Sequence, residues 1–215
     1  MAKEKKIKKI HLADMEPLFM IGAFPRATIR FCLMFKPLMY YFFIGIVAAF
    51  SEELILFFDQ KYPFQFSLGE IVSTAMYFSV ISYVLSTVII SFLLNAIGKM
   101  VGGKGTFKQM FRAFTLTNIP LIWILPVILF WMQLSPESFF QYGDFPLSTG
   151  DVVMHNVGAV LIFVATAWCV FLTFKAVQEV ERVSIKKTFG ILALTVVTFV
   201  VLNLALYAAT GFTIL

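Results

Sequence analysis

Five apolar runs of membrane-spanning length, cut apart by polar loops, constrain this chain more than any single residue does. A hydrocarbon core of ~30 Å needs about 20 mainly apolar residues as helix. Such runs cover Pro37 to Phe58, Ser67 to Ile97, Phe107 to Gln133, Gly150 to Val177 and Ile185 to Gly211. A backbone in lipid must satisfy its own hydrogen bonds, so runs of this length are helices. The expected fold is all-α: a polytopic integral membrane protein, a bundle of five transmembrane helices. The composition agrees, with 60% hydrophobic and 13% charged residues in 215, against about 45–50% and about 25% in soluble domains.

Local signals mark the helix starts. Ser67-Leu-Gly-Glu70 and Thr106-Phe-Lys-Gln109 spell capping boxes, in which the hydroxyl and the acidic or amide side chain satisfy each other's backbone donors. Ser148 or Asp151 suits the start of the fourth span, and Ser184 the fifth. Pro120 and Pro126 remove helical N–H groups inside the third span and predict kinks there. Residues 1–36 divide from the rest as a basic tail and a short interfacial amphipathic helix, leaving 37–215 as the five-helix domain. Pro25 fits the first turn of that interfacial helix, and Arg26 and Arg30 share one face, placed to meet lipid phosphates or to serve as a plain cationic topology anchor. Leu18 to Phe24 is too short for the apolar core of a cleavable signal, and Pro25-Arg26 follows instead of small residues.

Charge fixes the expected orientation. Of 17 Lys and Arg, all but Lys61 fall on one side when the N-terminus is inside: those up to Lys36, then Lys99, Lys104, Lys108 and Arg112, then Lys175, Arg182, Lys186 and Lys187. Most of the 12 acids fall on the other side. This is the positive-inside pattern, and it predicts a cytoplasmic N-terminus, an outside C-terminus and a plasma-membrane, multi-pass location. Arg26, Arg30, Lys104, Lys108 and Arg112 are the candidate contacts to phosphates of an anionic inner leaflet.

The loop Gly98 to Phe114, GKMVGGKGTFKQMFRAF, imitates a phosphate cradle without spelling one. Lys104 follows Gly103, but Gly105 stands where a P-loop needs a hydroxyl, and no strand precedes it. Neither a nucleotide nor a nucleic acid is expected, and no cofactor. Its glycines read instead as a helix end and a turn.

Ionisable groups inside a membrane suggest function by default. Glu52, Glu53, Glu70, Asp151, His155 and Asn156 gather toward the outer ends of spans one, two and four, as a candidate polar cluster or as interfacial groups. Ser79, Ser82 and Ser86 form a stripe of small hydroxyls on span two, and Asn118, Pro120 and Asn203 are polar or kinking positions suited to helix packing. Cys32 and Cys169 lack metal-type spacing, and no disulfide is expected. No nucleophile-and-base arrangement is spelled, so an enzyme is not expected.

FPRATIR (Phe24 to Arg30), GGKGTFKQMFRAFTLTNIP (Gly102 to Pro120) and AVQEVERVSIKKTF (Ala176 to Phe189) resemble the Yip family of five-span membrane proteins, in its minimal prokaryotic form. The resemblance covers nearly the whole chain and implies five helices with a cytosolic N-terminus. Eukaryotic members are linked to Rab-type GTPases and vesicle budding through a long N-terminal domain. Only about 36 residues precede the first span here, without the Asp-Leu-Tyr-Gly-Pro motif, so GTPase binding is not expected to carry over. The functional expectation is a non-catalytic adaptor or organiser of other membrane proteins, or of its own copies. The alternatives are a small transporter, an accessory subunit of an export complex, or a scramblase-like lipid handler.

Overall fold

The computed structural model describes residues 16–60, 66–140 and 146–210. The lysines of the basic tail and Lys61 fall outside them. The described residues form helices joined by turns: α1 Pro17–Ala23, α2 Pro25–Phe35, α3 Leu38–Leu56, α4 Leu68–Met100, α5 Phe107–Thr117, α6 Ile119–Leu134, α7 Pro136–Phe140, α8 Thr149–Glu181 and α9 Ile185–Thr210. Five segments are long and apolar enough to cross a membrane: α3, α4, α5 with α6, α8, and α9 as far as Ala205. The fold is all-α, as the apolar runs require.

Both capping boxes form. Ser67 N and Oγ donate to Glu70 Oε2 at 2.7 and 2.8 Å, and Glu70 N donates to Ser67 Oγ at 3.3 Å. Thr106 and Gln109 repeat the arrangement, with Thr106 N to Gln109 Oε1 at 3.1 Å. A third box opens α8, where Ser148 Oγ donates to Asp151 Oδ2 at 2.7 Å and accepts from Asp151 N at 3.2 Å. The two prolines of the third span behave differently. Pro120 stands in the first turn of α6, where its missing N–H costs nothing, and the chain breaks at Asn118 just before it. Pro126 lies inside α6, which continues past it.

The described residues divide into two compact units. One comprises α1, α2, α4 from Thr87, α5 to Phe114, α8 from Leu172, and α9. Here α2 buries Thr28, Ile29 and Cys32 on one face and exposes Arg26 and Arg30. Burial pushes the Cys32 thiol from an ordinary 9.0 up to about 12, so it is inert at neutral pH.

The other unit comprises α3, α4 to Ser86, α5 from Thr115 with α6, α7, and α8 to Phe171. Its core is aromatic. Trp131 meets Phe139 edge-on at 4.9 Å and Phe58 at 5.5 Å, and its Nε1 donates to Ser138 Oγ at 2.7 Å. Gly158 lies directly against the Trp131 ring, and Gly45 against Tyr83; a Cβ on either glycine would overlap the ring. Close approach, more than turning, explains these two glycines.

Candidate functional site

The Gly-rich loop wraps a carboxylate of the chain itself. The end of α4 is a Schellman motif: Gly103 N donates to Gly98 O at 2.8 Å, Gly102 N to Lys99 O at 3.0 Å, and Gly102 has φ +88. Against this turn lies Glu181, the last residue of α8, fully buried. Asn95 Nδ2 donates to Glu181 Oε1 at 2.8 Å and Gly105 N to Oε2 at 3.0 Å, while Lys104 N donates to the Glu181 carbonyl at 3.0 Å. A Cβ on Gly98 would stand 2.7 Å from Glu181 Cδ, and one on Gly105 2.8 Å from Oε1; on Gly103 it would strike Oε2. The glycines make room for a carboxylate, so the likeness to a phosphate cradle has a physical basis.

This placement has an electrostatic cost. A buried carboxylate loses its hydration, and the C-terminal ends of α4 and α8 add partial negative charge. Charge-assisted N–H bonds of about 1.5–3 kcal/mol each offset part of it. Cations also contribute: Lys187 Nζ donates to Val101 O at 2.8 Å, capping the end of α4.

Beside the loop opens a cavity of about 340 Å³ with Arg30, Lys104 and Arg182 on its wall. Arg30 Nε donates to Glu179 Oε1 at 2.7 Å, which raises the guanidinium above its ordinary pKa through the hydrogen bond and the opposite charge. Arg182 holds φ +54, the left-handed turn that ends α8.

The candidate phosphate contacts thus separate. Arg30 and Lys104 share this cavity; Arg26 instead donates to Gln178 Oε1. Lys108 is exposed on α5 and Arg112 half-buried. Glu181 and Asn95 were not among the candidate site residues read from the sequence, which ended the fourth span at Val177 and counted Arg182 only as an inner-side cation. A hint was available: Glu181 closes an apolar run on the same side as the Gly-rich loop.

The polar groups of the second unit are tied up locally. Glu70 and Asp151 are engaged by the capping boxes, and Asp151 Oδ1 also accepts from Ser135 Oγ at 2.6 Å. Glu53 accepts from Ser82, and Glu52 is exposed on α3. His155 is buried, its Nδ1 2.8 Å from Ser138 O and its ring stacked on Phe58 at 4.8 Å. Asn156 Nδ2 donates to Val152 O at 2.8 Å within its own helix, and in the first unit Asn203 Nδ2 does the same to Phe199 O at 3.0 Å. Ser79 and Ser86 also bond back to helical carbonyls. Asn118 O accepts from Leu121 N at 3.0 Å in the break before Pro120. Among the described residues no three His, Cys, Asp or Glu side chains converge as a metal site.

Compared with known proteins, residues 24–207 match the family model of the Yip1 domain. No curated protein and no solved structure matches the chain.

Proposed function

From the premise that this chain belongs to the Yip1 domain family, we propose that it is a non-catalytic membrane protein that organises or accompanies other membrane proteins. Its basic loops and N-terminus face the cytoplasm, and its C-terminus lies outside the plasma membrane. The observation that carries this reading is the fastening of two basic loops to each other through Glu181. Lys104 and Arg182 then belong to a held surface, and a held surface loses less entropy on binding than a free loop does. The excess of Lys and Arg on that side supports the orientation. The engaged polar groups of the second unit support a packing role for them over chemistry.

Crosslinking followed by affinity purification from native membranes tests the proposal. A membrane protein whose crosslinks map to Lys99, Lys104 or Lys187 supports it. Crosslinks confined to other faces, or a chain recovered alone, count against it. A small transporter or accessory subunit is the second reading, favoured by the helix break at Asn118, because interrupted spans accompany substrate sites in transporters. Lipid movement between leaflets by the purified chain would favour lipid handling instead.

A further inference from the structure

The cavity beside the Gly-rich loop joins two kinds of surface. Arg30, Lys104, Arg182 and Glu179 line it, together with the apolar side chains Leu33 and Met34. Its one carboxylate is engaged by Arg30. The cationic groups of Lys104 and Arg182 have no hydrogen-bond or ion-pair partner among the described residues, and both residues are exposed. The wall therefore offers two cations without a protein counter-charge. Met34 and Phe35 of α2 are 63% and 67% exposed, so bare apolar surface adjoins the charge.

We propose that this cavity binds the phosphate of an anionic phospholipid headgroup. Lys104 and Arg182 meet the phosphate oxygens, and the acyl chains lie against Met34 and Phe35. Arg presents a planar fork matched to phosphate, and Lys adds a compact point charge. An acidic peptide would answer the charge but leave the apolar side chains facing water. A phospholipid answers both. Glu181 acts here as a positioning residue, because its carbonyl and carboxylate fix the backbone on either side of Lys104. The inference stands apart from the adaptor reading, since it needs only that this end of the chain meet lipid.

Native mass spectrometry of the full chain in neutral detergent, titrated with phosphatidylglycerol, tests it. Lys104→Gln combined with Arg182→Gly should weaken binding about thirty-fold, at about five-fold per cation near a lipid surface. Glycine is chosen at 182 because φ +54 suits it, so the melting temperature should not fall. Should the double variant fold poorly, Arg182→Gly alone should still show its five-fold loss. Lys99→Gln with Lys186→Gln removes the same charge away from the cavity and should cost less than three-fold. Equal losses from the two pairs would overturn the pocket in favour of diffuse attraction. Inorganic phosphate binding as tightly as the lipid, or polyglutamate displacing it at equal charge, would overturn the lipid assignment.

Discussion

The two units use glycine for the same geometric end and opposite chemistry. Around Glu181, Gly98, Gly103 and Gly105 bring backbone up to a carboxylate that is held by N–H donors. Around Trp131, Gly158 brings a helix up to an aromatic ring held by dispersion and one hydrogen bond. The first arrangement depends on directional polar bonds that water cannot reach, so each missing partner is costly. The second depends on filled volume, so shape counts more than polarity.

That contrast predicts different responses to matched substitutions. Glu181→Ala and Trp131→Ala should each cost about 3–4 kcal/mol, one by orphaning the Asn95 and Gly105 donors and the other by opening a cavity. The conservative changes should separate them. Glu181→Gln sets a donor where an acceptor is needed and should keep over half the loss, while Trp131→Phe should recover most of it. Melting temperatures in detergent read both, and a neutral Glu181→Gln would break the comparison.

Next in size, Gly98→Ala and Gly158→Ala should each cost about 2 kcal/mol through overpacking. Removing the opposing group should relieve each, since the nearest atoms are those of one side chain in both cases: Gly98→Ala in a Glu181→Ala background, Gly158→Ala in a Trp131→Ala background. Double-mutant cycles on unfolding in detergent measure that coupling, and simple additivity would show that the close approaches do not limit stability.

Cys32 supplies a pH test in the first unit. Its folded pKa lies above its ordinary value, so its contribution is intact below pH 9.0 and is lost as pH rises toward about 12. Cys32→Ala should flatten that alkaline decline. Maleimide at pH 7 should label Cys32 only as fast as the chain opens, and rapid labelling of the folded protein would contradict its burial.

The smallest effects belong to exposed charges. Arg30→Ala removes an ion pair whose arginine is 65% exposed and should cost under about 1 kcal/mol. Glu53→Gln and His155→Ala should add within about 0.5 kcal/mol, and a chelator should change nothing. Strong coupling between that pair would reveal a site in the second unit and erase its contrast with the first.

What was legible in the sequence was what is local. The capping boxes at Ser67 and Thr106 close over three residues, and the five spans follow from apolar length alone. The Yip likeness rested on the loops and agrees with the matched family. The Glu181 arrangement was not legible because its partners lie far off in sequence: Asn95 is 86 residues away and Gly105 76. Hydropathy also misled at that point, since Gln178 to Glu181 look like loop while α8 continues through them. The spelling of His155 fitted either an outer polar cluster or an interfacial imidazole; its stacking on Phe58 comes from a fold-dependent meeting of α8 with the turn after α3.

The separation between Gly105 and Glu181 also sets an order of events during biosynthesis. The Gly-rich turn leaves the ribosome 76 residues before the carboxylate that fills it. At 5–20 residues per second, that interval is roughly 4–15 s. Over that time Gly105 N–H has no Glu181 to bind. The third and fourth spans are both made within the interval, so the loop's final shape is a late product of synthesis. A nascent chain stalled before Glu181 would expose an unfilled backbone anion site to whatever the insertion machinery presents.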